Sequence, residues 1–373
     1  MCSQLKKTFG LQNHFVPRLS LKHFANPTRQ VCVYRTLVSH STVPIWDEKG
    51  TKSIAWVDKL YTRTVGDQES GEIERWLDRE FEQPAAEAIQ RVVSDHRLYP
   101  EHWDALADFV AAQIVRTPAF LLRRYPEWRK RMPEIMNSVL HEVSSRSEAC
   151  RRLERPLEPL QPHPFAEYVP MRVSTQATEK PGVAGVKVEV LVGRGYWHFV
   201  MHHVLTKTIE VLRNHRWSIL KPCNGLTWFT SDDPVLALNY YGDGTYDFGG
   251  GWGRKGTEIY LPISPLHMLY TPVGEKPLRR GTTLDGSTTQ MLRRFIAEHA
   301  HKAIFAAERD EEILNLRPRE VSEERYRQEE EFWKTFAAEQ ATIEASWTNS
   351  YREERQTQDT GIGSDSRNAI IAA

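Results

Sequence analysis

The sequence predicts an α+β protein: a helical N-terminal half packed on a mainly antiparallel sheet formed largely by the C-terminal half. Three observations carry this. Between Glu69 and Tyr125 apolar residues recur at intervals of three and four, as on one face of a helix. Between Trp217 and Thr271 short apolar runs follow one another with Gly, Asn, Asp and Pro between them and no helical pattern separating them, which implies antiparallel pairing. The chain has 373 residues, 40% of them hydrophobic and 26% charged, enough apolar side chain for a deep core.

In chain order, Gln30 to Arg35 suits a strand covered on both faces, since Val31, Cys32, Val33 and Tyr34 follow without alternation. Ile73, Trp76, Leu77 and Phe81 mark a helix; Pro84 fits the first turn of a second helix or the kink of a single one. Glu101 to Tyr125 reads as the central helix, with Trp103, Leu106, Val110, Ile114 and Leu121 on one stripe and Pro118 bending it. Further helices are expected near Glu134–Arg146, Tyr196–Asn214 and Ser287–His299. Strands are expected at 187–192, 217–220, 226–230, 235–239, 257–263, 268–271 and 302–306. One domain over 1–347 follows, with a long C-terminal helix at about 322–347 and a disordered tail over 348–373. Four prolines between Arg155 and Pro164 make 150–186 a covering loop.

Forty-nine basic side chains balance 49 acidic ones, so no global field draws a polyanion to the surface. Nucleic-acid contact would need a local patch, of which Arg123 to Arg131, with Tyr125 and Trp128, is the densest; a solvated helix end is the plainer reading. Cys2, Cys32, Cys150 and Cys223 form no Cys-x-x-Cys pair, which argues against a zinc knuckle and suits a reducing, cytoplasmic setting. The first residues lack the apolar core of a signal peptide, and no apolar run reaches the roughly 20 residues that cross a bilayer, so no membrane association is expected.

Three segments stand out: Asn13-His14-Phe15-Val16-Pro17 with Leu21 and Phe24; Thr230-Ser231-Asp232-Asp233-Pro234 after Phe229; and Leu261-Pro262-Ile263-Ser264-Pro265. Between them lie Glu82 followed by Ala85 and Ala86, and Gln113-Ile-Val-Arg116-Thr-Pro118. In order and spread, over about residues 12 to 306, these pieces resemble the bacterial-type family called domain of unknown function 4238. Asp233 stands where that family often has Asn, and Ser20 where it usually has a large aromatic. The resemblance implies relatedness and fold; it brings no established activity.

The residues themselves suggest chemistry. His14 beside Pro17 and Arg18 joins a titratable imidazole to a fixed cation, or simply hydrogen-bonds a core carbonyl. Gln113 and Arg116, three apart, interrupt a helix that otherwise demands burial. A buried Arg116 needs a partner, either Glu82 on the preceding helix or an anionic ligand. Ser231, Asp232 and Asp233 could hold a divalent cation or orient water, and could equally make an Asx-type turn before Pro234. His198 and His202 share a helix face, and His299 and His301 a strand edge; neither pair has a third ligand beside it. The glycine-rich stretches at 241–244 and 249–254 sit between strands, where a hairpin or flap is the default.

Two functional readings follow. One is a hydrolase-like enzyme acting on a phosphate-containing small molecule or a nucleic acid. In it His14 with Asp232 and Asp233 is catalytic; Arg18, Gln113, Arg116 and Ser231 bind substrate; Asp232 with Glu82 holds a divalent metal ion. The other is a non-catalytic binding or interaction protein, whose polar residues form an internal network and whose C-terminal helix offers Phe332, Trp333 and Phe336 to a partner.

Overall fold

The computed structural model of the chain describes residues 12–65, 68–154, 171–177 and 184–361. The fold is mixed α+β with several antiparallel sheets. Contacts group the described residues into two compact units, one drawn from 12–60, 73–124 and 201–334, the other from 61–72, 125–200 and 335–361.

The first unit holds a six-stranded sheet in the order Thr245–Asp247, Leu236–Gly242, Thr257–Ser264, His267–Pro272, Ser218–Lys221, Thr282–Thr283, antiparallel except for its last pair. A second, four-stranded antiparallel sheet runs Thr230–Ser231, Ala303–Ala306, Gln30–Arg35, Trp46–Gly50. Two of its strands come from the first fifty residues, so strands are not confined to the C-terminal half. One apolar cluster, including Tyr34, Trp228, Phe229, Tyr260, Met268, Phe295 and Ile304, draws its members from both sheets and the helix Gly286–His299. Of the run expected at 226–230, only Thr230 is strand; Trp228 and Phe229 instead bury their rings, and the Trp228 amide bonds the Pro265 carbonyl at 2.8 Å.

The helices of this unit explain how the site is placed. Glu72–Leu77 runs into a π-helical turn, Asp78–Glu82, and on into Gln83–Val93. Pro84 accounts for the wide turn: it has no N–H for the residue-80 carbonyl and its ring would collide there, so the Gln83 amide bonds Asp78 instead. Pro100–Val115 packs against Gln83–Val93. The expected single helix to Tyr125 is interrupted: the helix ends at Val115 and another starts at Pro118, with Thr117 capping the restart by accepting the Phe120 amide at 3.1 Å.

The second unit contains an antiparallel hairpin, Met171–Ala177 with Ala184–Val190, where a covering loop over 150–186 is expected; 155–170 and 178–183 lie outside the described residues. Arg194, buried, forks onto Glu344 at 3.1 and 2.8 Å, while its amide donates to Gln340 Oε1 at 2.7 Å. A Cβ on Gly193 would lie 2.3 Å from that same oxygen, so a larger residue before Arg194 would require the Gln340 side chain to move. The C-terminal helix continues from Glu323 to Gly361, past the end expected at 347; the last part of the expected tail, 362–373, lies outside the described residues. Among the described residues no single helix is long and apolar enough to cross a membrane.

Candidate functional site

The segment carrying His14 is a short strand, Gln12–His14, paired antiparallel with Trp56–Asp58, and the Phe15 amide continues the ladder to Ala55 at 2.9 Å. Pro17 then starts the turn Arg18–Leu21, leaving Arg18 exposed and His14 half-buried. The His14 Nδ1 lies 3.1 Å from the Ile54 carbonyl. A carbonyl only accepts, so Nδ1 carries the proton and the neutral ring keeps its lone pair on Nε2. Burial, reinforced by the positive charges of Arg18 and Arg116, holds the His14 pKa below the ordinary histidine value. Near pH 7 it is therefore mostly a neutral base.

Arg116 lies at the end of Pro100–Val115 and is fully buried. One of its terminal nitrogens donates to Glu82 Oε1 at 2.6 Å and the other to the His14 carbonyl at 2.7 Å. The guanidinium thus ties the opening strand to the π-helical turn, and Glu82 is a partner as expected. Gln113, three residues earlier, is 1% exposed, and neither polar atom of its amide has a hydrogen-bond partner among the described residues. Glu74 lies on the same helical rod as Glu82 and feels both Glu82 and Arg116. One of its oxygens is buried without a hydrogen-bond partner among the described residues, and burial pushes its pKa up to about 7. A neutral imidazole, a carboxyl that titrates near neutrality and an unmatched amide therefore gather around a satisfied ion pair.

The two aspartates of the late turn divide. Asp232 is buried and its carboxylate accepts the backbone amides of His301, Lys302 and Ala303 at 2.9, 2.8 and 3.1 Å. Burial raises its pKa against those amides and the nearby His301. Its oxygens therefore fasten the start of Ala303–Ala306, which leaves little coordination capacity for the metal role expected of it. Asp233 turns towards the helix break: its carboxylate accepts from Thr117 Oγ1 at 3.2 Å and Arg123 at 2.5 Å, with His299 Nε2 at 3.5 Å. Asp233 is thus hydrogen-bonded to the residue that follows Arg116, whereas Asp232 is bonded to the backbone at 301–303. The turn is closed by Ser231, whose Oγ accepts the Asp233 amide at 3.2 Å and donates to the Asp233 carbonyl at 2.9 Å, so a serine turn replaces the Asx turn expected there.

Among the described residues no group of three His, Cys, Asp or Glu side chains is arranged to hold a metal ion, Asp232 and Glu82 included. His202 stacks on Trp76, centroids 4.0 Å apart. His299 ends the helix Gly286–His299 and is not on a strand edge. In the basic stretch, Trp128 packs edge-on against Tyr196 at 5.3 Å, and Arg123 donates to Asp233 while its side chain stays half-exposed. On the C-terminal helix Phe336 is buried, while Phe332 and Trp333 are half-buried and pack edge-on against each other.

Sequence reasoning missed Glu74, and it gave Thr117, Arg123 and His299 no place beside Asp233. Only Glu74 carried a signal, an acid flanked by the apolar positions Ile73 and Trp76 of its helix.

A buried Arg–Glu pair flanked by acid–base groups on an α+β scaffold defines a class of site without naming a reaction. Four of the five segments that carried the family resemblance, those with His14, Glu82, Arg116 and Asp233, are joined by these hydrogen bonds. The family model described as "Protein of unknown function (DUF4238)" matches residues 12–310, and the chain belongs to that family. No curated protein and no solved structure matches it.

Proposed function

We propose that the chain is a hydrolase-like enzyme using acid–base chemistry at the Arg116 site, with a phosphate-containing small molecule or nucleic acid as substrate. The observation that carries this is that His14, neutral with its lone pair on Nε2, and Glu74, with an unmatched buried oxygen, both feel the charges of the Arg116–Glu82 ion pair. In this reading His14 Nε2 takes a proton from the attacking water and protonated Glu74 gives one to the leaving oxygen. Arg116 is a positioning residue, since Glu82 and the His14 carbonyl already occupy it. Gln113 offers an amide to the substrate or to the water, and exposed Arg18, beside His14, is the cation for a phosphate. Asp232 is assigned to the fold. This retains the reaction class expected from sequence and replaces its metal-centred chemistry with a His14–Glu74 pair.

A second reading, a binding protein with a structural polar network, is favoured by the Asp232 turn, where three backbone amides match the carboxylate. The two readings separate in one experiment. Phosphomonoesters, phosphodiesters, nucleotides, RNA and DNA are screened with wild type, His14→Gln and Glu74→Gln, with and without magnesium or manganese. The expected result is turnover that falls by about 100-fold or more in His14→Gln, the usual yield of a general base. Glu74→Gln should remove the alkaline fall in rate, because that limb reports loss of the Glu74 proton. Absence of turnover, or turnover indifferent to His14, would favour the binding reading.

A further inference from the structure

We propose that a cleft beside the hairpin turn at Asp243–Gly244 binds a flat, uncharged aromatic molecule bearing an N–H donor. The cleft is about 340 Å³ in volume, and Tyr240, Tyr246, Gln290, Met291, Arg294 and Phe295 line most of it. That volume is within the range of small-molecule sites.

The hairpin builds one wall. Gly242 pairs with Thr245, leaving a two-residue loop whose Asp243 and Gly244 both take positive φ, 50° and 75°. Such a loop follows the right-handed twist of its strands, and a register shift between Tyr240 and Gly242 then sets Tyr240, rather than Tyr241, opposite Tyr246. The helix Gly286–His299 builds the other wall, bringing Phe295 to 4.4 Å from the Tyr246 ring. Tyr240 and Met291 remain 43% and 38% exposed on the cleft lining, accessible to an incoming ring.

The polar groups define the ligand further. Arg294 donates to Glu298 at 2.7 Å, the Tyr246 hydroxyl donates to the other oxygen of Glu298, and Glu312 lies 3.2 Å from Arg293. The charges around the cleft are thus already matched, so a charged ligand meets no waiting counter-ion. Gln290 differs: its Oε1 is buried and has no hydrogen-bond partner among the described residues. An acceptor in that position gains most from an N–H brought by a ligand. Aromatic walls call for a flat ring, and the carbonyl oxygen calls for a donor on its edge.

Indole and benzofuran test the assignment, since they share a shape and differ in N–H against ring oxygen. Binding of each to the full chain is followed by ligand-observed NMR, with Gln290→Leu and Tyr240→Ala as variants. Indole is expected to bind about tenfold more tightly than benzofuran, the value of one matched acceptor. Gln290→Leu should erase that preference, and Tyr240→Ala should weaken both probes alike. Equal binding of the two probes, no binding of either at millimolar concentration, or a preference that survives Gln290→Leu would each overturn it. Because the cleft uses none of His14, Glu74 or Arg116, His14→Gln should leave indole binding unchanged, so this assignment and the acid–base reading stand or fall separately.

Discussion

Replacing Arg116 with methionine is expected to destabilise the fold by about 3–5 kcal/mol, the range for removing one partner of a buried ion pair. The guanidinium is fully buried and matched on two sides, by the Glu82 carboxylate and the His14 carbonyl. Methionine fills similar space but leaves Glu82, whose side chain is only 16% exposed, as an uncompensated charge. The double variant Arg116→Met with Glu82→Leu should recover much of the loss, because an apolar pair of similar volume is often no worse than the ion pair it replaces. Recovery should stay incomplete, since the His14 carbonyl still lacks its donor. Urea unfolding of the three variants measures this; a loss below about 1 kcal/mol for Arg116→Met would place the guanidinium outside the folding core.

Glu74→Gln should do the opposite at alkaline pH. Burial lifts the Glu74 pKa from 4.5 in the unfolded chain to about 7 in the folded one. The folded state therefore holds this proton more tightly than the unfolded state across that interval. Its contribution is fully present below pH 4.5 and is lost as pH rises through 7. Glutamine stays neutral throughout, so the variant should gain on wild type by up to about 3 kcal/mol between pH 4 and pH 8. Unfolding midpoints recorded across that range check the sign; a difference that does not grow with pH would show that Glu74 is not buried against its charge.

Much of the fold was readable where local pattern and burial agree. Val31 to Tyr34 form an unbroken apolar run, and Gln30–Arg35 is a strand covered by neighbours. Arg116 on an apolar helix face had to find a carboxylate, and Glu82 supplies it. The unreadable parts depend on long-range or sub-turn geometry. Whether Asp232 or Asp233 faced the site was decided by amides some seventy residues later, at 301–303, which no turn rule reaches. Pro84 marks a helix start or a kink but does not tell which, and the π-turn it brings at Asp78–Glu82, a one-residue shift in hydrogen bonding, changes the phase at which Glu74 and Glu82 face their surroundings. The hairpin at 171–190 was hidden by the proline run before it, which reads as loop whatever follows.

The proposed chemistry depends most on the state of one imidazole ring. Nitrogen-15 chemical shifts of His14, recorded from pH 5 to 8 in the full chain, report both its tautomer and its titration. The structure predicts a proton on Nδ1, an unprotonated Nε2 at pH 7 and a midpoint below 6.5. A proton on Nε2 in the neutral ring, or a ring still charged at pH 7, would contradict it.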